Sequence, residues 1–302
     1  MPRRPALHFL RILAHGCAAG ALGLAGLLAH AAGPGAAALQ ARYAELGPAL
    51  QRSPFGRPLL LDSTEAAGQL SGRVQAVVDH PFDTVSAALQ APQSWCEVLM
   101  LHLNVKQCQV RQGSAGPVLA VYLGRKHGQP LVQAQRVELA FASPTASADY
   151  LDLRLRAERG PLATSDYRIS LQAVPLPGGK TFLAMDYSYA YGIAAQLAMK
   201  GYLATVGSGK RGFTTTGSAA DGKPAYIGGV RAVVERNTMR YYLAIDAYLD
   251  SLAGSSLAQQ REQRLAAWFD ATERYAQQLH EIDRDEYLVM KRDEFRQLPA
   301  GR

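Results

Sequence analysis

The sequence predicts an α+β domain: an antiparallel sheet covered on one side, one long amphipathic helix after it, and extra helices at the C-terminus. Three observations carry this. Three stretches alternate apolar and polar residues with period two, through Val137, Leu139 and Phe141, then Leu151, Leu153 and Leu155, then Tyr167, Ile169 and Leu171. A period of two with one apolar face belongs to an antiparallel sheet covered on one side. Residues 230–252 place Val230, Val234, Asn237, Tyr241, Ile245, Tyr248 and Leu252 on one narrow helical face. Cys96 and Cys108, the only cysteines beyond the N-terminal leader, sit where a helix end gives way to a strand.

The chain opens with Arg3, Arg4 and Arg11 and no acid, then runs almost wholly apolar or small from 12 to 28, and offers Ala29-His30-Ala31 as an A-x-A site. This predicts a signal peptide over 1–31, cleaved after Ala31, with a retained membrane anchor as the alternative, and a periplasmic or secreted protein. In an oxidising compartment two isolated cysteines predict a disulfide, and a ring of this size contributes about 3 kcal/mol by restricting the unfolded chain. The full chain carries a net charge of +7; without the three leader arginines it carries +4 (7 − 3). That is too mild to point to nucleic acid. Residues 32–58, Ala-rich and then punctuated by Pro48, Pro54 and Pro58, read as a short helix and a poorly ordered linker.

The body begins with a strand over 74–78. Asp83 is a good N-cap for a helix over 84–90, and Pro92 separates it from a second helical turn carrying Trp95, Cys96 and Met100. Strands follow over 103–112 and 118–123, then the three alternating strands above. Pro175 to Gly179 is a hairpin connection into a last strand over 181–191. That strand has Leu183, Met185, Tyr187, Tyr189 and Tyr191 on one face and Phe182, Ala184, Asp186, Ser188 and Ala190 on the other. Only one face can point inward, and the pattern leaves open which. A short helix over 192–204 and a mobile connection over 206–229 lead to the long helix. Gly207 to Gly212 lacks the Ser or Thr after Lys210 that a phosphate loop needs. Within the long helix Asn237 interrupts the apolar stripe and requires hydrogen-bond partners. Arg231, Glu235, Met239, Asp246 and Asp250 lie towards its other side.

The final segment, 253–302, carries a second stripe (Leu265, Trp268, Ala271, Tyr275, Leu279, Ile282) and a charged run bearing Tyr287, Leu288, Met290 and Phe295. These faces need cover, from the domain itself, a second subunit, or a membrane or protein partner.

This order of elements resembles the helix-grip fold of the START/SRPBCC superfamily. The likeness spans about 59–252. It rests on Val78-Asp79-His80-Pro81-Phe82-Asp83 at the strand-to-helix entry and on the helix over 230–252. An export leader, the Cys96–Cys108 bridge and the trailing helices mark an exported START-like branch. The resemblance implies a hydrophobic small molecule or lipid held in a cavity between sheet and long helix. Its walls would come from Tyr187, Tyr189 and Tyr191 (or the face with Asp186 and Ser188) and from Val234, Asn237, Tyr241 and Tyr248.

No catalytic residue, metal site or cofactor is expected. The four histidines beyond the leader (His80, His102, His127, His280) are scattered and form no metal-ligand motif. His102 reads as a half-exposed structural residue. An enzyme of the cyclase or aromatase type would have to use Asp186, Glu235 or Arg168. A non-enzymatic envelope assembly protein would have a core filled by its own side chains.

Overall fold

Each strand with one apolar face needs neighbours, and the computed structural model supplies them in a single eight-stranded antiparallel sheet. It describes residues 33–66, 68–193, 196–197, 201, 205, 209–219 and 221–298. The leader and its cleavage site, and most of the helix expected over 192–204, lie outside the described residues. The strands are β1 (Leu59–Ala66), β2 (Gln69–Val78), β3 (Val105–Gly113), β4 (Gly116–Leu123), β5 (Gln135–Ala146), β6 (Leu151–Arg159), β7 (Thr164–Leu176) and β8 (Lys180–Tyr191). Their order is β1-β2-β8-β7-β6-β5-β4-β3. The alternating residues align across it: Phe141 faces Leu155, Leu155 faces Ile169, Ile169 faces Tyr187 and Tyr187 faces Gly72. Irregularities near Lys106, between Ala142 and Thr145, and between Ser165 and Arg168 break the ladders; such bulges bend and twist a sheet.

The helices are α1 (Pro34–Gln51), α2 (Phe82–Leu89), α3 (Pro92–Leu99), α4 (Gly229–Asp250), α5 (Leu257–Glu273), α6 (Ala276–Leu279) and α7 (Arg284–Arg296). The architecture is the α+β helix-grip one, with α4 clasped by the sheet. The helix packs over the β1, β2 and β8 end. At Gly72 on β2 the seating is so close that a Cβ atom would stand 2.2 Å from the Thr238 hydroxyl. The Thr238 hydroxyl is itself held by donating to Val234 O at 2.8 Å.

Several expectations change. The helix read from 84 begins at Phe82; Pro81, not Asp83, takes the capping position, and Asp83 sits in the first turn, where a carboxylate suits the helix dipole. β1 and the first half of β2 were not foreseen, because Ser63, Thr64, Gly68, Ser71 and Gly72 hide their alternation. The stretch expected to be a mobile connection carries a small hairpin, β9 (Thr215–Ser218) with β10 (Pro224–Tyr226). In the 32–58 segment the expected helix is present, and it is longer than read and packed on the sheet. Helix α1 covers the outer face of the sheet, with Leu39, Leu50 and Tyr43 packed on Val174, Phe182 and Ala184. This settles the faces of β8: the tyrosines turn inward, while Phe182 and Ala184 turn out under α1.

Helix α4 was expected to bury one stripe, yet Glu235 and Met239 on its supposed outer side are both fully buried. The C-terminal helices lie across part of its back, and residues 213–214 with Ser63 cover Glu235. Trp268 donates to Arg240 O at 3.1 Å and Tyr287 to Leu101 O at 3.0 Å. The two C-terminal stripes therefore cover the domain's own core, and that need for an outside partner disappears. Buried charge locks the last helix in place: Glu294 accepts from Lys106 at 3.0 Å and from Lys291 at 2.7 Å, and Lys291 also donates to Val105 O. Buried Glu235 accepts from the Ser63 hydroxyl at 2.6 Å, the Thr214 hydroxyl at 2.6 Å, and the Phe213 and Thr214 amides at 2.6 and 2.9 Å. Each oxygen thus has two donors, the condition for keeping a carboxylate inside a protein. It pins the β9–β10 segment to α4. The Cys96–Cys108 bridge joins α3 to β3, with Cα atoms 5.2 Å apart.

The Gly72 contact makes a test. Gly72→Ala should cost about 1–3 kcal/mol in urea unfolding by overpacking. In a Thr238→Ala background the cost should shrink, because the clashing hydroxyl is gone; an unchanged cost would mean that the helix is not seated this closely.

Candidate functional site

Because α4 sits over one end of the sheet, the concave face of β3 to β7 is left with space beneath it. A cavity of 480 Å³ lies there. Its apolar wall comes from Leu99, Val105, Val121, Leu123, Val137, Leu139 and Ile169. Val121 and Val137 are direct partners across β4 and β5, and Leu119 and Leu139 are the next such pair. The inner polar groups are His102, Tyr167, Tyr187, Asn237 and Tyr241. The mouth is formed by Arg125, Gln129, Gln133 and Gln135, with Pro161 and Leu162 opposite. Leu162 and Ala163 both adopt positive φ, at 56° and 58°, a backbone that costs energy for residues with side chains. Leu162 stands 72% exposed beside the opening, and Val132, in the turn before Gln133, is 91% exposed. Among the described residues no Asp or Glu lines the cavity.

Of the residues expected to meet a ligand, Tyr187, Asn237 and Tyr241 come together in this lining. The others stand elsewhere. Tyr189 stacks on Tyr167, ring centroids 5.1 Å apart, outside the lining. Tyr191 reaches the edge of the sheet and donates to Glu65 at 2.6 Å. Val234 is fully buried among core side chains. Tyr248 donates to Ser94 at 2.9 Å and carries the Arg264 guanidinium over its ring. A shared helix face does not imply a shared cavity: residues three turns apart on α4 meet different partners.

His102 is the main residue whose place was misread. It is only 5% exposed, not half-exposed. Its ring packs on Tyr241, centroids 5.2 Å apart, and Tyr241 meets Tyr187 edge-on at 5.3 Å. His102 Nδ1 accepts from the Asn104 amide at 3.2 Å. A neutral ring accepting at Nδ1 carries its proton on Nε2. Burial, and then the charges of Arg240, Lys291 and Lys126, hold the imidazole well below its ordinary pKa, so it stays neutral. Burial likewise raises the Tyr187 and Tyr241 hydroxyls above their ordinary range. The polar end of the cavity therefore consists of uncharged groups. Its Nε2–H was not legible in sequence; the alternation of Leu101, His102 and Leu103 gave no direction for the ring.

The candidates considered for acid–base chemistry do not face this space. Asp186 pairs with Arg73 at 2.6 Å on the outer face of the sheet, Arg168 pairs with exposed Asp166, and Glu235 is the anchor described above. Among the described residues no group of three or more His, Cys, Asp or Glu is placed to hold a metal ion.

The mouth is tied down from behind. Glu281, between α6 and α7, takes Lys126 of the mouth loop at 2.5 Å, Arg240 of α4 at 2.9 Å and Lys210. Burial alone would raise its pKa, but Arg240 and Lys126 outweigh it and hold the carboxyl down at about 2. Burial brings Lys126 down to about 7.

Comparison with solved structures returns proteins of related shape. Truncated norcoclaurine synthase from Thalictrum flavum is 12% identical, with 48% of this chain and 90% of that chain covered, at a TM-score of 0.33. Ara h 8.0201 is 10% identical, with 61% and 99% covered, at 0.36. Human StAR-related lipid transfer protein 5 is 13% identical, with 56% and 89% covered, at 0.30. No protein-family model matches the chain, and no curated protein matches it.

The Glu281 knot predicts a pH dependence. Its carboxyl titrates near 2 when folded against 4.5 ordinarily. The unfolded chain therefore binds more protons between these values, and the stability Glu281 contributes is complete above 4.5 and lost as pH falls towards 2. Glu281→Gln should be less stable than the parent at pH 6, and the gap should narrow at pH 3, as read by urea midpoints. A gap of constant size would show that the carboxylate charge does not hold the knot.

Proposed function

We propose that the chain is an exported carrier for a single hydrophobic molecule, held between the concave sheet and α4. One observation carries this reading: a mostly apolar space of 480 Å³, open at one mouth, with an uncharged polar inner end. That volume falls within the range of small-molecule sites. At about 30 Å³ per water it equals on the order of sixteen water-sized volumes, room for one chain or a compact ring system. A lipid with two long acyl chains and a headgroup exceeds it. Binding would come from buried apolar area, at about 25 cal/mol per Å² removed from water. A core filled by its own side chains would not leave such room. The leader-like N-terminus and the Cys96–Cys108 bridge support action in the periplasm or beyond.

The test fills the space. Delipidated protein should bind the neutral dye N-phenyl-1-naphthylamine at one site. Val121→Phe with Val137→Phe, which places two rings on the facing pair of β4 and β5, should weaken that binding at least ten-fold with the circular dichroism spectrum retained. Equal dye binding by the filled variant would remove the cavity as the binding site.

A further inference from the structure

The inner end of the cavity contains a row of polar groups whose order fixes the direction of their protons. The Asn104 amide donates to His102 Nδ1, so the ring's one proton is on Nε2. Nε2 is shut off from solvent and closes no hydrogen bond of good geometry, but the Asn237 amide is within its reach. The same amide reaches the Tyr187 hydroxyl. An N–H facing Asn237 calls for the amide oxygen on that side, which leaves the amide nitrogen to face the Tyr187 oxygen. Tyr187 then has its oxygen engaged and its proton free. Tyr187 lines the cavity, so that proton can meet an acceptor on a guest.

We propose that His102, Asn237 and Tyr187 form a one-way hydrogen-bond row that makes Tyr187 the donor to a carbonyl-type oxygen on the buried end of the ligand. This rests on the carrier reading and narrows it: the guest is an apolar molecule with an acceptor oxygen at its leading end, as in a long-chain ketone or ester. Binding of that oxygen draws the Tyr187 proton into the cavity and strengthens the bond that the Asn237 amide nitrogen donates to the tyrosine oxygen. A guest whose leading group is itself a donor meets a donor and gains nothing. Tyr187 touches the guest; His102 and Asn237 are positioning residues.

The experiment compares 2-undecanone with undecane as competitors for N-phenyl-1-naphthylamine on the full mature chain. Tyr187→Phe should lower the ketone-to-alkane affinity ratio at least five-fold, since a buried carbonyl loses its partner, while undecane affinity stays within two-fold. Asn237→Leu should lower the ratio as well. In the parent protein the infrared carbonyl band of bound 2-undecanone should lie at lower wavenumber than in Tyr187→Phe, a readout that does not depend on affinity. An unchanged ratio and an unmoved band in Tyr187→Phe would overturn the donor role, with undecane binding still supporting the carrier. An unchanged ratio and band in Asn237→Leu alone would overturn the row. Failure of both competitors and the dye to bind the parent would remove the carrier reading and this inference together.

Discussion

The seating of α4 on β2 is the constraint on which the other features depend. Gly72 has no side chain, so the Thr238 side chain can lie directly on the strand. That contact fixes the helix over one end of the sheet. The remaining concave surface is roofed only in part, by Leu99 of α3 and by Asn237 and Tyr241 of α4, and the space between is not filled by side chains. The cavity is a result of where the helix is held, and its apolar wall is the ordinary inward face of an antiparallel sheet.

A helix held this closely is covered on its other side as well, and covering it brings charge indoors. Glu235, Lys106, Lys291, Glu294 and Arg264 are all nearly inaccessible to solvent. Each is paired or multiply hydrogen-bonded: Arg264 reaches Glu97 at 2.8 Å and Ser251 at 3.0 Å. Breaking one partner of such a set leaves an uncompensated charge, which is far costlier than the pair is worth. These groups fix the trailing helices in one arrangement, and hydrophobic stripes alone would permit several.

Much of the architecture was legible in the amino-acid order. The alternating runs within β5, β6 and β7 follow period two, and the extents of β8 and α4 differ from the expected ones by two residues or fewer. The cysteines needed only their isolation in the chain. What stayed hidden has common physical causes. β1 and early β2 carry polar residues on a surface that meets Arg231 and Glu235 rather than lipid-like side chains. The all-round burial of α4 depends on helices far along the chain, and a local period cannot report it. The candidate site was half legible: Tyr187, Asn237 and Tyr241 follow from the inward faces of strand and helix, whereas His102 depends on a turn after α3 that aims its ring. Tyr189, Val234 and Tyr248 share those faces yet lie beyond the cavity's edge.

The ring closed by Cys96 and Cys108 contains Leu99, His102, Asn104 and Val105, all four of them in the cavity wall. The cross-link therefore does more than strengthen the domain as a whole: it fixes the length of backbone that presents the His102 imidazole. A newly made chain with both sulfurs still reduced lacks that restraint on one wall of the chamber. The shape of that wall is thereby coupled to the oxidation state of two sulfurs outside it.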